Sequence, residues 1–227
     1  MRTVGLLGGM SAESTTLYYQ AMNRLVRERL GGLHSMQMLM WSVDFAPIAQ
    51  MQADGDWEAA GDVLAQAAAR LEGAGAQAIM IGANTMHLVA DQVQAAISVP
   101  LIHIADATAG AVKAAGCSRP LLLATRFTME KPFYRDRLSA QGVEAMIPAE
   151  ADRARLHAVI YDELCQGVVT PASKAEVLDM IAKATEADCV IFGCTEVGLL
   201  LSPSDLVLPV IDTALVHAQA GVDFALS

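Results

Sequence analysis

Two short polar segments, each directly after an apolar run, contain the residues best suited to chemistry. In the first, Cys194, Thr195 and Glu196 follow the apolar run 190–192 and Gly193. A buried strand that ends in this way places a thiol at the edge of a sheet, and a thiol at a helix N-terminus has a lowered pKa. We therefore predict a reactive thiol at Cys194. The alternative is a small buried hydrophobe, the usual role of cysteine.

The second segment lies 111 positions earlier (194 − 83) and has no thiol. Here Ala83, Asn84 and Thr85 follow the apolar run 78–82. The amide and the hydroxyl could bind a carboxylate or cap the next helix, and the two roles are compatible. His87, one turn further on, is either a proton-transfer group or a capping or packing residue, and we favour the second role.

The glycine-rich turn 8–9 leads through Met10 to Ser11 at the start of a predicted helix. Its amides and the helix N-terminus could hold an anion such as a carboxylate. The alternative is a tight turn that needs glycine for its backbone. The turn matches neither the dinucleotide nor the nucleotide-triphosphate fingerprint. No spacing of His and Cys predicts a metal, since the histidines outside the motifs are scattered over positions 34, 157 and 217.

Composition excludes several classes of function. The 227 residues suit one large domain or two small ones, and although 54% are hydrophobic, no apolar run reaches the roughly 18–20 residues of a membrane span. A net charge of −10 argues against nucleic-acid binding and against anionic membranes. With no signal-peptide pattern and no C-x-x-C pair, we expect a cytoplasmic protein with free thiols, in which Cys189 is core and Cys117 incidental.

Strands and helices alternate along the chain, which predicts an α/β fold with parallel sheets flanked by helices. The predicted strands are 3–7, 36–43, 78–81, 99–104, 120–124, 143–147, 189–192 and 208–211. The predicted helices are 14–29, 57–72, 87–96, 108–115, 131–141, 153–166, 173–187 and 213–226, with Ser11 and Ser173 as N-caps.

An internal duplication predicts two domains. Residues 99–103 match 208–212 at an offset of 109, and 82–85 match 193–196 at 111, with a looser match of 6–9 to 122–125. We expect two similar α/β domains related by a pseudo-two-fold axis, 1–98 plus 209–227 and 99–208, with the active site in the cleft between them. The alternative is one continuous doubly wound sheet.

The chain resembles the cofactor-independent aspartate/glutamate racemase family over its full length. Residues 5–11, Asn-Thr-Met-His at 84–87 and Gly-Cys-Thr-Glu at 193–196 carry the resemblance, while 31–35 and 103–108 are similar to the broad amino-acid racemase branch. The resemblance implies two α/β domains around a cleft, a homodimer, no cofactor, and a two-base mechanism without pyridoxal phosphate. Two cysteines normally exchange the α-proton on opposite faces of the substrate.

This sequence departs from the family pattern at one of those cysteines. Cys194 matches the second, but the first position is Ala83, which has no proton to exchange; some members of the branch use threonine there. The basic residue that the family often offers to a second carboxylate has no counterpart around Cys165 or 50–52. Anion recognition then falls to backbone amides and to Gln52, Asn84, Thr85 and Thr195, which argues against strict dicarboxylate specificity.

We therefore predict a racemase of aspartate- and glutamate-type amino acids that is weakened or inactivated at position 83. Its partner is a small amino acid, with no nucleic acid, membrane, metal or cofactor. The predicted catalytic positions are Cys194 and Ala83, and the predicted substrate-binding residues are Met10, Ser11, Gln52, Asn84, Thr85, Thr125, Cys165, Thr195 and Glu196. Two alternatives stay open: a single-cysteine decarboxylase of malonate-type acids, and a non-catalytic ligand-binding relative.

Overall fold

The structure is a computed structural model that describes all residues from 1 to 227. It contains two parallel sheets flanked by helices, which confirms the predicted fold class. The strands are β1 Val4–Gly8, β2 Met38–Ser42, β3 Ala78–Ile81, β4 Leu101–Ile102, β5 Pro120–Leu123, β6 Cys189–Phe192 and β7 Val210–Asp212. No helix combines the length and the apolar composition needed to cross a membrane.

The α-helices are α1 Ala12–Leu30, α2 Phe45–Asp54, α3 Trp57–Gly73, α4 Ala90–Ala95, α5 Ile104–Ala114, α6 Arg126–Glu130, α7 Pro132–Ser139, α8 Glu150–Ala158, α9 Pro171–Lys183, α10 Val197–Leu200 and α11 Thr213–Leu226. Short 3-10 turns occur at Thr85–Val89, Leu164–Gln166 and Pro203–Asp205, and a π-helical turn at Val159–Glu163.

The chain divides into two compact units. The first contains residues 1–104 and 217–227, and the second contains residues 105–216. The bounds predicted from the sequence, 1–98 plus 209–227 and 99–208, place the two boundaries between the units 6 (104 − 98) and 8 (216 − 208) residues earlier in the chain.

The sheet of the first unit has the order β2-β1-β3-β4, with all strands parallel. Apolar residues of β1 and β3, such as Leu7, Ile79 and Ile81, are fully buried against the alanine- and leucine-rich face of α3. Each such side chain stabilises the fold by about 1.5–3 kcal/mol. This core holds the carboxyl ends of β1 and β3 side by side.

The sheet of the second unit has the order β5-β6-β7, and Met146 adds a parallel bridge to Leu121 on the free side of β5. The order therefore repeats that of the first unit, with β5, β6 and β7 in the places of β1, β3 and β4. The repeat extends to a hydrogen bond, because the Gly82 amide donates to the Leu7 carbonyl and the Gly193 amide to the Leu123 carbonyl, each at 2.8 Å.

Several predicted elements are shorter or begin elsewhere. Only Leu101–Ile102 of the predicted strand 99–104 pairs, because α5 already begins at Ile104. Of the predicted strand 143–147, only Met146 bridges to a neighbour. The N-cap of α9 is Thr170 rather than Ser173, since the Thr170 hydroxyl accepts the Ser173 amide at 3.1 Å. Pro171 then occupies the first turn, where its missing N–H costs nothing.

Two helices differ from the prediction in kind. The predicted helix 153–166 is α-helical only to residue 158, and then continues as the π-helical turn and the 3-10 turn. The helix α6, residues 126–130, has no counterpart among the predicted elements; its N-cap is Thr125, whose hydroxyl accepts the Thr128 amide at 3.3 Å. Both departures lie in the second unit, near the thiol described next.

Candidate active site

The position of Cys194 is fixed by Gly193, the residue that follows β6. A Cβ atom at residue 193 would lie 2.6 Å from Leu122 Cδ1 and 3.0 Å from Ala124 Cβ, so only glycine fits without a shift of its neighbours. The end of β6 can therefore pack directly on β5. Cys194 then lies, buried, at the carboxyl edge of the sheet.

The Cys194 thiol is hydrogen-bonded to a carboxylate. Its Sγ lies 2.8 Å from Glu196 Oε2, and the Thr195 hydroxyl donates to the same oxygen at 2.7 Å. All three side chains are buried. Because Oε2 accepts from both groups, the thiol and the hydroxyl each point their proton at Glu196.

This arrangement raises the pKa of the Cys194 thiol well above its usual range. Burial is the main cause, followed by the charges of Glu196 and Cys165 and the hydrogen bond to Glu196. The predicted lowering of the pKa by a helix N-terminus is wrong: the following helix, α10, has only four residues, and burial and the charge of Glu196 raise the pKa instead. Cys194 therefore rests as a neutral thiol that gives up its proton only to a strong base. It can remove a proton from another group only if its own proton passes to Glu196.

The remaining predicted residues of the second unit lie near this group. Thr125 is buried at the end of β5, the strand beside β6. Cys165 is half-buried in the turn Leu164–Gln166, close enough for its charge to affect the pKa of Cys194. Tyr161 was missed: burial raises its pKa, and Cys194, Cys165 and Glu196 add to the effect. The π-helical turn that places it leaves no mark in the hydrophobic pattern.

In the first unit, β3 ends with Gly82, and the polar segment follows at the carboxyl edge. Ala83, Asn84 and Thr85 are all buried there, and Thr85 begins the 3-10 turn. Ala83 packs within the apolar core beside Met86. The structure thus places a methyl group where the duplication places a thiol in the second unit.

His87 holds the backbone of residue 83. The Ile104 amide donates to His87 Nε2 at 3.2 Å, so Nε2 carries no proton. The proton must then lie on Nδ1, which donates to the Ala83 carbonyl at 2.8 Å. With both ring nitrogens engaged, His87 is a neutral packing residue, as favoured from the sequence, and not a proton-transfer group.

Three histidines meet in the first unit. The ring centroid of His87 lies 4.5 Å from that of His103 and 5.7 Å from that of His217. The description of His217 as scattered was therefore wrong, because α11 returns it to this core. Its Nε2 donates to the Ile102 carbonyl at 2.7 Å, and its Nδ1 accepts from the Tyr18 hydroxyl at 2.8 Å.

Burial lowers the pKa of His217 from 6.5 to about 4, against the smaller raising effect of its bond to Ile102. Between pH 4 and pH 6.5, His217 is therefore mostly protonated in the unfolded chain and mostly neutral in the folded chain. The stabilisation is therefore present above pH 6.5 and lost as the pH falls towards 4, about 3 kcal/mol in all. Denaturant unfolding across this pH range should show the free energy of unfolding decreasing as the pH falls. The decrease should be smaller in His217→Gln. An equal slope in both proteins would contradict the assignment.

The glycine-rich turn is partly occupied by its own side chains. Gly9 has a φ of 90°, and a Cβ there would lie 2.3 Å from the Val43 carbonyl oxygen. Its amide donates to the Thr15 hydroxyl at 2.7 Å, while the Ser14 amide donates to the Ser11 hydroxyl at 3.2 Å. These two amides serve the turn itself. The predicted anion site thus loses two donors, and the tight-turn alternative gains support.

The other predicted residues of the first unit are buried near the same edge. Met10 and Ser11 lie between β1 and α1, and Ser11 is the N-cap of α1, as predicted. Gln52, on α2, places its Nε2 3.0 Å from Met86 Sδ. This contact ties Gln52 to the polar segment after β3. The structure therefore brings these residues together within the first unit.

Comparison with known proteins identifies the family. A sequence model of the Asp/Glu/Hydantoin racemase family matches residues 7–221. This chain belongs to that family. A structure of a proposed Asp/Glu racemase from Yersinia pestis is 46% identical, with a TM-score of 0.92 and full coverage of both chains. An aspartate racemase homologue from Pyrococcus horikoshii OT3 is 33% identical, with a TM-score of 0.86 and the same coverage.

The chain is also similar to the broad specificity amino-acid racemase RacX of Bacillus subtilis (strain 168). It is 22% identical over 227 residues, which cover 96% of each chain. Family membership confirms the resemblance seen in the motifs around Asn84 and Cys194. The roles of individual site residues, and the prediction that both units serve one site, stay predictions.

Proposed function

We propose that the chain is a pyridoxal-phosphate-independent racemase-type enzyme that acts on aspartate- and glutamate-type amino acids by α-proton transfer. Cys194 is one acid/base, and Ala83 occupies the position of the other. The proposed substrate-binding residues are Met10, Ser11, Gln52, Asn84, Thr85, Thr125, Cys165, Thr195 and Glu196. As the resemblance implies, the enzyme works as a homodimer without a cofactor.

The observation that carries the proposal is the hydrogen bond from the Cys194 thiol to Glu196. A buried thiol with a raised pKa holds its proton until a strong base, such as an α-carbanion, comes within reach. Proton transfer from sulfur to Glu196 first produces the thiolate, which removes the α-proton and becomes a thiol again. When this thiol protonates the carbanion, a thiolate forms once more, and the protonated Glu196 or solvent returns a proton to it.

Ala83 limits what this site can do. Racemisation needs a proton to leave one face of the α-carbon and another to arrive on the opposite face, and a methyl group can do neither. Absence of one positioned acid/base costs roughly 10²–10⁴-fold in rate. We therefore expect α-proton exchange at the face served by Cys194, with slow inversion or none.

The neutral thiol also favours a second candidate, the single-cysteine decarboxylase of malonate-type acids. After loss of CO₂, an enolate needs only one proton donor, and Cys194 is a protonated thiol beside a carboxylate. This reaction makes no demand on position 83. The two candidates thus differ in their substrate, and share the proton-donating role of Cys194.

Incubation in D₂O with L-aspartate and L-glutamate distinguishes the candidates. We expect deuterium at Cα, detected by NMR, with little or no D-enantiomer on chiral chromatography. Release of CO₂ from a disubstituted malonate without exchange into either amino acid would overturn the racemase proposal and support the decarboxylase. Binding of an amino acid with no exchange and no CO₂ release would overturn both, in favour of a binding protein.

A further inference from the structure

A second group of thiols lies at the opposite end of the strands from Cys194. Cys189 is the first residue of β6, whereas Cys194 lies two positions after the last residue of the same strand. Cys117 lies three positions before Pro120, the first residue of β5. Because β5 and β6 are parallel neighbours, both thiols lie at the amino edge of the sheet. This edge plays no part in the proton transfer proposed above.

Three ligand atoms converge at this edge. The Sγ atoms of Cys117 and Cys189 and a carboxylate oxygen of Asp188 all lie within 4.8 Å of one another. The carboxylate is held in place by the backbone amides of Ser118 at 2.6 Å and of Arg119 at 2.9 and 3.0 Å. Cys189 is buried, and Cys117 is half-buried, so the group opens to solvent on the Cys117 side.

The local charge favours a cation. The backbone amides of Ser118 and Arg119 donate to both carboxylate oxygens of Asp188, and hydrogen bonds of this kind stabilise the negatively charged form. The nearby Arg119 guanidinium is paired with Glu186 at 2.6 Å instead. An anion beside two thiols, with its neighbouring guanidinium engaged elsewhere, attracts a positive ion.

We propose that Cys117, Cys189 and Asp188 bind a thiophilic divalent cation such as Zn²⁺. Both thiols release their protons to solvent when the ion binds. The two thiolates, the carboxylate and the divalent ion then have a net charge of −1. Zn–S bonds of about 2.3 Å in a tetrahedron bring two sulfurs about 3.8 Å apart, so shifts of roughly 1 Å complete the geometry. Water takes the fourth position from the Cys117 side.

The same charge disfavours the other reaction open to two thiols, oxidation to a disulfide. That reaction needs a thiolate, and the Asp188 carboxylate, which lies within 4.8 Å of both sulfur atoms, opposes a second negative charge there. A divalent cation reverses this effect, since it stabilises the thiolate that Asp188 opposes. The Asp188 carboxylate therefore disfavours disulfide formation and favours metal binding.

Titration of the full chain with Co²⁺, a spectroscopic substitute for Zn²⁺, tests the proposal. We expect one Co²⁺ per chain with thiolate-to-cobalt charge-transfer absorbance, displaced by one equivalent of Zn²⁺. Cys117→Ser should weaken Co²⁺ binding at least about tenfold to a hundredfold. Cys165→Ser is the matched control, because Cys165 is also half-buried in the second unit but lies outside the group.

Zn²⁺ should also raise the melting temperature of the wild type and of Cys165→Ser, but not of Cys117→Ser. Cys189→Ala removes the second thiol and should also weaken Co²⁺ binding, with circular dichroism as the check of its fold. If this substitution at a buried position unfolds the protein, the result for Cys117→Ser, at a half-buried position, decides the test. Absence of thiolate–cobalt absorbance in the wild type would overturn the proposal. So would a Cys117→Ser variant that binds Co²⁺ as tightly as the wild type.

Discussion

Ala83→Cys should increase the racemisation rate of aspartate or glutamate by roughly 10²–10⁴-fold, the usual contribution of one positioned acid/base. The physical reason is that the new thiol supplies the proton donor and acceptor that a methyl group lacks, on a backbone already fixed by His87 and by the Gly82–Leu7 hydrogen bond. Chiral chromatography of the product measures the rate directly.

Two variants control this gain. Ala83→Thr should give a smaller increase, because a hydroxyl gives up its proton less readily than a thiol. Ala83→Cys combined with Cys194→Ser should return to the low rate, since racemisation then again has one thiol. An Ala83→Cys variant that folds, binds amino acids and racemises neither aspartate nor glutamate faster would refute the assignment of position 83.

Cys194→Ser should reduce α-proton exchange in D₂O by roughly 10²–10⁴-fold, while leaving amino-acid binding largely intact. Serine keeps the size and the hydrogen bond to Glu196, but its hydroxyl is a far weaker acid than the thiol. Exchange is measured by NMR and binding by calorimetry. Undiminished exchange in a folded Cys194→Ser protein would show that another group moves the proton.

Glu196→Gln separates the thiol's chemistry from its packing. Glutamine keeps the shape and a hydrogen-bond acceptor but removes the charge that contributes to the raised pKa of Cys194. We expect the thiol to be alkylated by iodoacetamide at lower pH than in the wild type, and exchange to slow because the proton acceptor is lost. If the alkylation profile keeps its midpoint, the charge of Glu196 does not control the thiol.

The sequence was sufficient for the parts of the site that sit on buried strands. Runs such as 78–81 and 189–192 are apolar throughout, so their ends, and the polar residues after them, could be placed within a residue. The two sheets share an equivalent strand order, which agrees with the repeat at an offset of about 110 residues, although the order itself was not predicted. Local pattern thus predicted where Ala83 and Cys194 lie.

What the sequence did not reveal depends on side-chain direction and on contacts between distant segments. Cys194 and Glu196 are two positions apart, and nothing in that spacing says that the carboxylate turns back onto the thiol and raises its pKa. His217 reaches His87 across 130 positions (217 − 87), through a helix whose pattern only predicts burial. The π-helical turn that contains Tyr161 differs from an α-helix only in that its hydrogen bonds span five residues instead of four, which composition cannot show.

The hydrogen bond from His87 to the carbonyl of residue 83 has a consequence for how this family can change over evolution. It holds the main chain at that position and makes no use of the side chain. The loop therefore keeps its conformation whether residue 83 carries a thiol, a hydroxyl or a methyl group. If position 83 is the site of the second acid/base, as we propose, a single substitution there changes the reactive group and leaves this main-chain hydrogen bond in place.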